Sequence, residues 1–409
     1  YLDTTSYVNY EANILKGEVH VFRTPIYPYI IKLISIFSIN DVVMYKTITL
    51  LQEILSIISV IVLYMTLKKE LRNQTINYMM TILYGCLPAI FTYNKVILTE
   101  SLSISLFVMY FCLIIKYIKN PTNNKTILIG VFTLFLIMLR PAFIYLIIVL
   151  LIMFLLIFIC KKENRKKSML GGIVLICISG ILLGYCYLNK IQNNFFGISN
   201  VTQVNQLDNV IQMGIYDTGD KQDEGIINII NQRLDGEQQK WYVKTQNEIV
   251  SKYTSKQIEG YLKRCVKNNF QVYVKKTIEK VITIASLKCD EVYLYAKNIN
   301  NIIQPRINFV VIYIYIVFKS IQILYQIVEN KDIPLIQTIM IFTILGQLST
   351  IILGAQAEYS RLFIPVLSIV IIAIAYDIDE IIEKVRTSKY WRIKYISTNS
   401  KDIINKEGE

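Results

Sequence analysis

Long apolar runs separated by short charged clusters dominate the chain, as at Ile54 to Leu67, Leu102 to Ile115 and Ala142 to Cys160. They do not alternate as a single buried face would, so they read as helices that cross a bilayer. Spans of adequate length fall at 45 to 67, 75 to 93, 101 to 118, 127 to 139, 142 to 160, 169 to 188, 307 to 328, 335 to 353 and 362 to 376, which predicts nine membrane helices. The Arg140-Pro141 pair separates two of these runs, because proline lacks an N–H and disfavours helix in the residue before it, and a tight hairpin is predicted there. Ile26 to Ile39 is too short to span and is interrupted by Pro28 and Lys32, so it predicts a helix lying in the membrane interface.

The apolar pattern stops between Asn189 and Arg306. Within this insertion Ile258, Tyr261, Leu262, Cys265, Val266, Phe270, Tyr273, Val281, Ile282 and Ala285 mostly keep a three-and-four spacing, interspersed with Lys256, Lys263, Arg264, Lys267, Lys275, Lys276 and Lys280. One basic amphipathic helix, or two in series, follows. Packing against the roof of the membrane domain and contact with anionic headgroups or a lipid phosphate both suit that pattern. The organisation expected is a first outer loop with an interfacial helix (1–44), transmembrane helices (45–188), an extracytoplasmic, mainly helical domain (189–306), further transmembrane helices (307–376) and a cytoplasmic tail (377–409).

Composition agrees with an all-α polytopic membrane protein. With 54% hydrophobic and 18% charged positions and a mean hydropathy of +0.43, the chain is too apolar for a water-soluble enzyme of 409 residues. The net charge of +13 would elsewhere suggest nucleic acid, but here much of it flanks apolar spans, and nucleic acid is discounted as a partner. When the connections are alternated across the membrane, one side collects Lys68, Lys69, Arg72, Lys116, Lys119, Lys125, Lys161, Lys162, Arg165, Lys166, Lys167 and Lys331, and the short turns opposite hold only Lys95, Arg140 and Arg361. The basic side is therefore read as cytoplasmic, and the basic tail after Asp377 falls on it without being forced to. Segments 1 to 44, 94 to 100, the Arg140-Pro141 turn, 189 to 306 and 354 to 361 then share the opposite, extracytoplasmic face. The chain begins at Tyr1 with no visible cleavable signal, and the polar stretch from Asp3 to Arg23 leads to the expectation of a first transmembrane helix ahead of it.

Five of the seven cysteines lie in or beside apolar spans, where a thiol serves as a small hydrophobe. Cys265 and Cys289 share a polar segment, but a bridge needs an oxidising compartment and nothing in their spacing demands one. The lone histidine, His20, cannot by itself form a metal site or a Ser-His-Asp arrangement, and no acidic pair demands a divalent ion.

The residues that could carry chemistry lie on the extracytoplasmic face. Asp3, in Asp-Thr-Thr-Ser-Tyr-Val-Asn-Tyr, is a carboxylate at the membrane rim, either a general base or a helix N-cap. The segment Arg23-Thr-Pro-Ile-Tyr-Pro-Tyr is a stiff turn. Glu100 opens a span in Thr99-Glu100-Ser101, where it would also complement the helix dipole. Arg140 sits between two of the most apolar helices, where a cation needs the interface or a partner. Glu358-Tyr359-Ser360-Arg361 opens the last span; both arginines could snorkel, or pair with Glu100 or Glu358. Together, acids and arginines on one membrane face suit a reaction that expels a phosphate, since arginine binds phosphate through paired N–H groups and a carboxylate can take a hydroxyl proton.

In their order along the chain, Asp3 with Tyr7, Arg23-Thr-Pro-Ile-Tyr-Pro, Thr99-Glu100-Ser101, Arg140-Pro141 and Glu358-Tyr359-Ser360-Arg361 with Pro365 resemble the motifs of C-type (GT-C) membrane glycosyltransferases, the group of the protein O-mannosyltransferases and the aminoarabinose transferase of lipid A (glycosyltransferase family 39-like). The resemblance implies a GT-C transmembrane bundle and a donor sugar on a polyprenyl phosphate, inverted as the lipid phosphate leaves, with no cofactor beyond that donor and no metal. It implies Asp3 as the catalytic base, Glu100 as a second catalytic-site acid, Arg140 and Arg361 on the donor phosphate, and Tyr7, Arg23, Tyr27, Glu358 and Tyr359 in support. One departure is that Thr4, not a second acid, follows Asp3. Partners would be membrane lipid, the lipid-linked sugar and a glycan, lipid or protein acceptor of the cell envelope, at the cell membrane. A surface-polysaccharide polymerase or ligase needs no acid in the first outer loop, and a flippase should show midplane charges, broken helices and a repeat; the acids and arginines here fall at span ends. A non-catalytic scaffold would survive loss of Asp3 and Arg140 together.

Overall fold

The computed structural model describes residues 2–234, 242–286, 309–329, 333–355 and 359–406, with side chains from Thr4 to Thr387 apart from Ala89, Val243 and Ser286. Among the described residues all regular structure is helical. A short α1 (Leu2–Val8) and an interfacial-length α2 (Ile26–Ile36) precede α3 (Asp41–Glu70), α4 (Gln74–Gly85), α5 (Pro88–Asn94), α6 (Thr99–Lys119), α7 (Asn123–Leu139), α8 (Leu146–Cys160) and α9 (Arg165–Asn193). The insertion folds as α10 (Val201–Gln212), α11 (Glu224–Leu234), α12 (Val243–Lys252), α13 (Ser255–Asn268) and α14 (Phe270–Ser286); α15 (Phe309–Val328), α16 (Leu335–Gly354) and α17 (Tyr359–Lys406) complete the bundle.

Starts and stops follow local chemistry. Asn40 accepts from the Val43 N–H to begin α3, Thr122 from Lys125 to begin α7, and Thr254 forms a capping box with Gln257 at the start of α13. Among the described residues, seven helical stretches are long and apolar enough to cross a membrane: α3, α6, Pro141–Cys160, Lys162–Asn193, α15, α16 and Tyr359–Thr387. The chain is thus an all-α, multi-pass membrane protein.

Two of the nine expected spans differ. The run 75 to 93 is broken into α4 and α5, because Pro88 drives Leu87 into extended backbone (φ −64°, ψ 118°) and starts a new helix. The run 127 to 139 is the 17-residue α7, which falls short of the seven. The last helix, for its part, continues well beyond 376, to Lys406.

Helix α6 is the axis of the bundle: 78% of its most apolar stretch is buried, against 28% for α3 and 22% for α15. Phe107, Phe111, Cys112, Ile114 and Ile115 are fully enclosed between α3, α7 and α17. Close approach of α7 and α9 depends on Gly130, where a Cβ would collide with Val174. The insertion has its own core, built from Leu207, Ile215, Ile226, Ile230, Ile249, Ile258, Tyr261 and Cys265. Its buried Asp223 is held by Arg264 through Nε at 2.8 Å and Nη2 at 2.5 Å. Cys265 is a free, buried thiol; Cys289 lies outside the described residues.

Where the connections gather is also legible. At the basic end, Asp379 accepts from the N–H groups of Arg72 (3.0 Å) and Asn73 (2.8 Å), so α17 caps the start of α4. Deeper in the bundle the buried Lys319 pairs with Asp377 at 2.5 Å, and Tyr315 donates to the other carboxylate oxygen at 2.9 Å. At the insertion end, residues 19–22 are tied to the end of α9: Val19 N–H donates to Gln192 Oε1 (2.8 Å), Asn193 to the Val19 carbonyl (3.0 Å) and Ser199 to that of Phe22 (2.7 Å).

Candidate functional site

Three segment ends converge at the insertion end of the bundle. Glu100 is the second residue of α6 and is 1% exposed. Arg140, in extended backbone (φ −147°, ψ 107°) ahead of Pro141, leaves the axis of α7 and places Nη2 3.4 Å from Glu100 Oε1. Arg361, in the first turn of α17, donates from Nε to the same oxygen at 2.6 Å. One carboxylate oxygen therefore gathers guanidinium groups from two helix ends that are far apart in sequence. Within the described structure Glu100 Oε2 and Arg140 Nη1 are buried and make no hydrogen bond. A buried charge survives only when it is paired, so removing the acid would take this carboxylate from both guanidinium groups.

The turn that carries Glu100 is held from below and above. Gln52, buried in α3, donates from Nε2 to the carbonyls of Asn94 (2.8 Å) and Val96 (3.0 Å) and accepts from the Tyr27 hydroxyl at 2.9 Å. Ser101 donates to Asn94 Oδ1 at 2.7 Å. From above, Thr4 donates to the Ile97 carbonyl at 3.1 Å, so α1 lies directly against the turn leading into Glu100.

A second group of expected residues builds the first loop. Arg23 donates from Nε to Ser6 (2.8 Å) and from Nη1 to the Tyr7 hydroxyl (3.0 Å), with its guanidinium 4.3 Å from the Tyr7 ring centre. Tyr7 meets Tyr27 edge to face at 5.1 Å. His20 Nδ1 accepts from the N–H groups of Phe22 (3.0 Å) and Arg23 (3.1 Å), folding the loop that presents Arg23. Burial, reinforced by the Arg23 charge, holds the His20 pKa below its ordinary value, so it is the neutral ring that accepts these bonds. At the other side of the site Tyr359 faces the insertion, its ring centre 5.6 Å from Lys280 Nζ.

The structure thus joins Glu100, Arg140 and Arg361 directly, and it links Tyr7, Arg23 and Tyr27 to them through Gln52 and the 94–98 turn. Asp3 is the second residue of α1, next to Thr4; its side chain and the whole of Glu358 lie outside the described residues. Gln52, Asn94 and Thr4 escaped the sequence reading. Gln52 carries the one usable signal, an amide inside an apolar span, where an uncompensated polar group is costly. Among the described residues no cluster of three or more His, Cys, Asp or Glu side chains is placed to hold a metal ion.

No family model matches the sequence, and no curated protein matches it. Among solved structures, the chain is similar to the archaeal oligosaccharyltransferase AglB from Archaeoglobus fulgidus, in complex with an inhibitory peptide and a dolichol-phosphate, at a TM-score of 0.45 and 12% identity. The likeness covers 91% of this chain and 44% of that one, so the chain spans less than half the length of that structure.

Proposed function

We propose that the chain is a membrane glycosyltransferase that moves a sugar from a polyprenyl phosphate to an acceptor hydroxyl, with the insertion end of the bundle facing out of the cell and the basic end facing the cytoplasm. The observation that carries this reading is the buried Glu100–Arg140–Arg361 cluster, with Arg140 Nη1 lacking a hydrogen-bond partner at the end of apolar spans. A guanidinium held there, at the depth where a lipid phosphate sits, is a preorganised donor to an anionic oxygen.

In the reaction the acceptor oxygen attacks the anomeric carbon from the face opposite the phosphate. The bond from that carbon to the phosphate oxygen breaks, and its electron pair stays on the phosphate, which goes from a singly charged diester to a monoester carrying up to two charges. Arg140 and Arg361 stabilise the charge that develops there. The acceptor's proton passes to the Asp3 carboxylate. Glu100 orients both arginines from their inner side, leaving Arg140 Nη1 for the phosphate. Tyr7, Arg23, Tyr27 and Tyr359 shape the surrounding walls. The acceptor is a glycan, lipid or protein of the cell envelope.

The test is transfer of radiolabelled sugar from short-chain polyprenyl-phosphate donors by purified protein, beside Asp3→Asn and Arg140→Ala. Label moved to an acceptor, or released as free sugar, by the unaltered protein and by neither variant is the expected result. Donors that neither bind nor turn over in folded protein would remove the basis of this reading and turn attention to transport of lipid-linked sugars.

A further inference from the structure

The seventeen residues of α14 (Phe270–Ser286) divide into three walls when wound at about 100° per residue. One wall meets the protein: Ile284 is buried, and Lys280 donates to Asn209 Oδ1 at 3.0 Å and to the Ala355 carbonyl. Tyr273, on the same wall, lines a cavity of about 520 Å³ shared with Asn209, Leu262, Lys263 and Leu353. A second wall carries Lys275, Lys276 and Glu279, with the exposed Val272 among them. The third repeats every four residues as Phe270, Val274, Ile278 and Ile282, which are 61%, 39%, 56% and 63% exposed.

An apolar stripe four side chains long and open along its whole length does not suit a helix bathed in water. Its position supplies the occupant. Helix α14 packs on α15 and α16, both long and apolar enough to span, and Lys280 fixes it at Ala355, the residue that ends α16. The helix is therefore held level with the insertion-side end of α16. Lys267 and Lys275 are exposed and form no ion pair among the described residues, and Lys276 pairs only with Glu279 one turn along, at 2.9 Å. Apolar side chains flanked by unneutralised lysines at that depth match the chemistry of an anionic lipid surface.

We propose that α14 lies in the leaflet on the insertion side, with Phe270, Val274, Ile278 and Ile282 among the acyl chains and Lys267, Lys275 and Lys276 drawn to anionic phospholipid headgroups. This docking is independent of the reaction the chain performs. It uses the apolar wall beside the polar one to anchor the insertion, while Lys280 ties the protein-facing wall to the connection between α16 and α17.

The experiment places a benzophenone amino acid at Ile278 of the full-length protein in nanodiscs of phosphatidylcholine, with and without phosphatidylglycerol, and identifies the photoproducts by mass. Expected are phospholipid adducts in both, with phosphatidylglycerol over-represented about twofold relative to its mole fraction. The Lys267→Gln and Lys275→Gln pair should bring that share back to the mole fraction while lipid adducts persist. Photoproducts confined to another part of the chain or to a second copy would overturn the proposal by showing that protein covers the stripe. A phosphatidylglycerol share equal to its mole fraction in the unaltered protein would overturn the headgroup part, and an Ile278 label reached by an aqueous quencher without lipid adducts would overturn the docking altogether.

Discussion

At the scale of single residues, the centre of the molecule is a carboxylate oxygen shared by two guanidinium groups, and the consequence of losing each partner differs. Glu100→Gln keeps the shape but leaves Arg140 and Arg361 buried beside a neutral amide, so the protein should lose about 3–5 kcal/mol of stability, visible as a lowered thermal midpoint in detergent. Arg140→Ala removes the donor that has a nitrogen to spare; under the proposed reaction, turnover should fall roughly a hundredfold or more while the fold persists. Gln52 acts through the turn it supports. Gln52→Leu leaves the Asn94 and Val96 carbonyls and the Tyr27 hydroxyl without their partner, which should cost about 2 kcal/mol or more and reduce turnover by loosening Glu100. A variant with normal turnover would show that the 94–98 turn holds itself. The amide was visible in the sequence, but its task was not, because it depends on α3 passing under a loop more than forty residues away.

Among the elements, the apolar periodicity made most of the helices legible, since a bilayer demands length and hydrophobicity and little else. It failed at Pro88, where total hydropathy outweighed a local backbone rule and two helices were read as one. The basic amphipathic segment was legible as one helix or two, and α13 and α14 are the two, yet only α13 buries its stripe: Ile258, Tyr261, Leu262 and Cys265 enter the insertion's core, whereas Phe270 and Ile282 stay outside. Spacing shows that a face is apolar, not what covers it. Arg264 on α13 secures the core through Asp223, whose pKa its hydrogen bonds hold below the usual carboxylate range. Because the folded pKa is the lower one, this stabilisation is complete above the unfolded value near pH ~4 and is lost as pH falls through the depressed one. Arg264→Met should therefore cost about 2–3 kcal/mol at neutral pH, less than a fully buried pair because Arg264 keeps some water, and should flatten the acid limb of a stability–pH curve.

Across the whole molecule, the two ends of the bundle do different work: one is laced by Asp379, Glu70 and Lys119, and the other assembles the site and carries the insertion. The sequence placed acids and arginines at span ends, but the buried Lys319 of α15 pairs with the half-buried Asp377 of α17, which it did not foresee, since charges on separate helices show no periodicity in common. One link between insertion and bundle is Lys280, whose burial lowers its pKa to about 8. The unfolded chain binds this proton up to pH ~10, so folding should gain stability as pH rises from about 8 to about 10. Thermal midpoints of Lys280→Met across that range should lack the rise; a slope equal to that of the unaltered protein would assign it to another group.

One feature of α17 bears on how the site empties. Pro365 lies inside that helix and has no N–H, and the carbonyl it would have bonded one turn back is that of Arg361. The turn bearing Arg361 is thus joined to the long rod behind it by one rung fewer than an ordinary helix supplies, whereas Arg140 is fixed in a loop whose N–H and carbonyl are both engaged, with Leu136 and Phe143. The two arms of the clamp differ in stiffness, one a fixed jaw and the other sprung. Under the proposed reaction, a spent lipid phosphate would leave past the sprung jaw, and restoring the missing rung with Pro365→Ala should make the clamp grip longer, seen as tighter retention of free polyprenyl phosphate and slower multiple turnover with an unchanged first turnover.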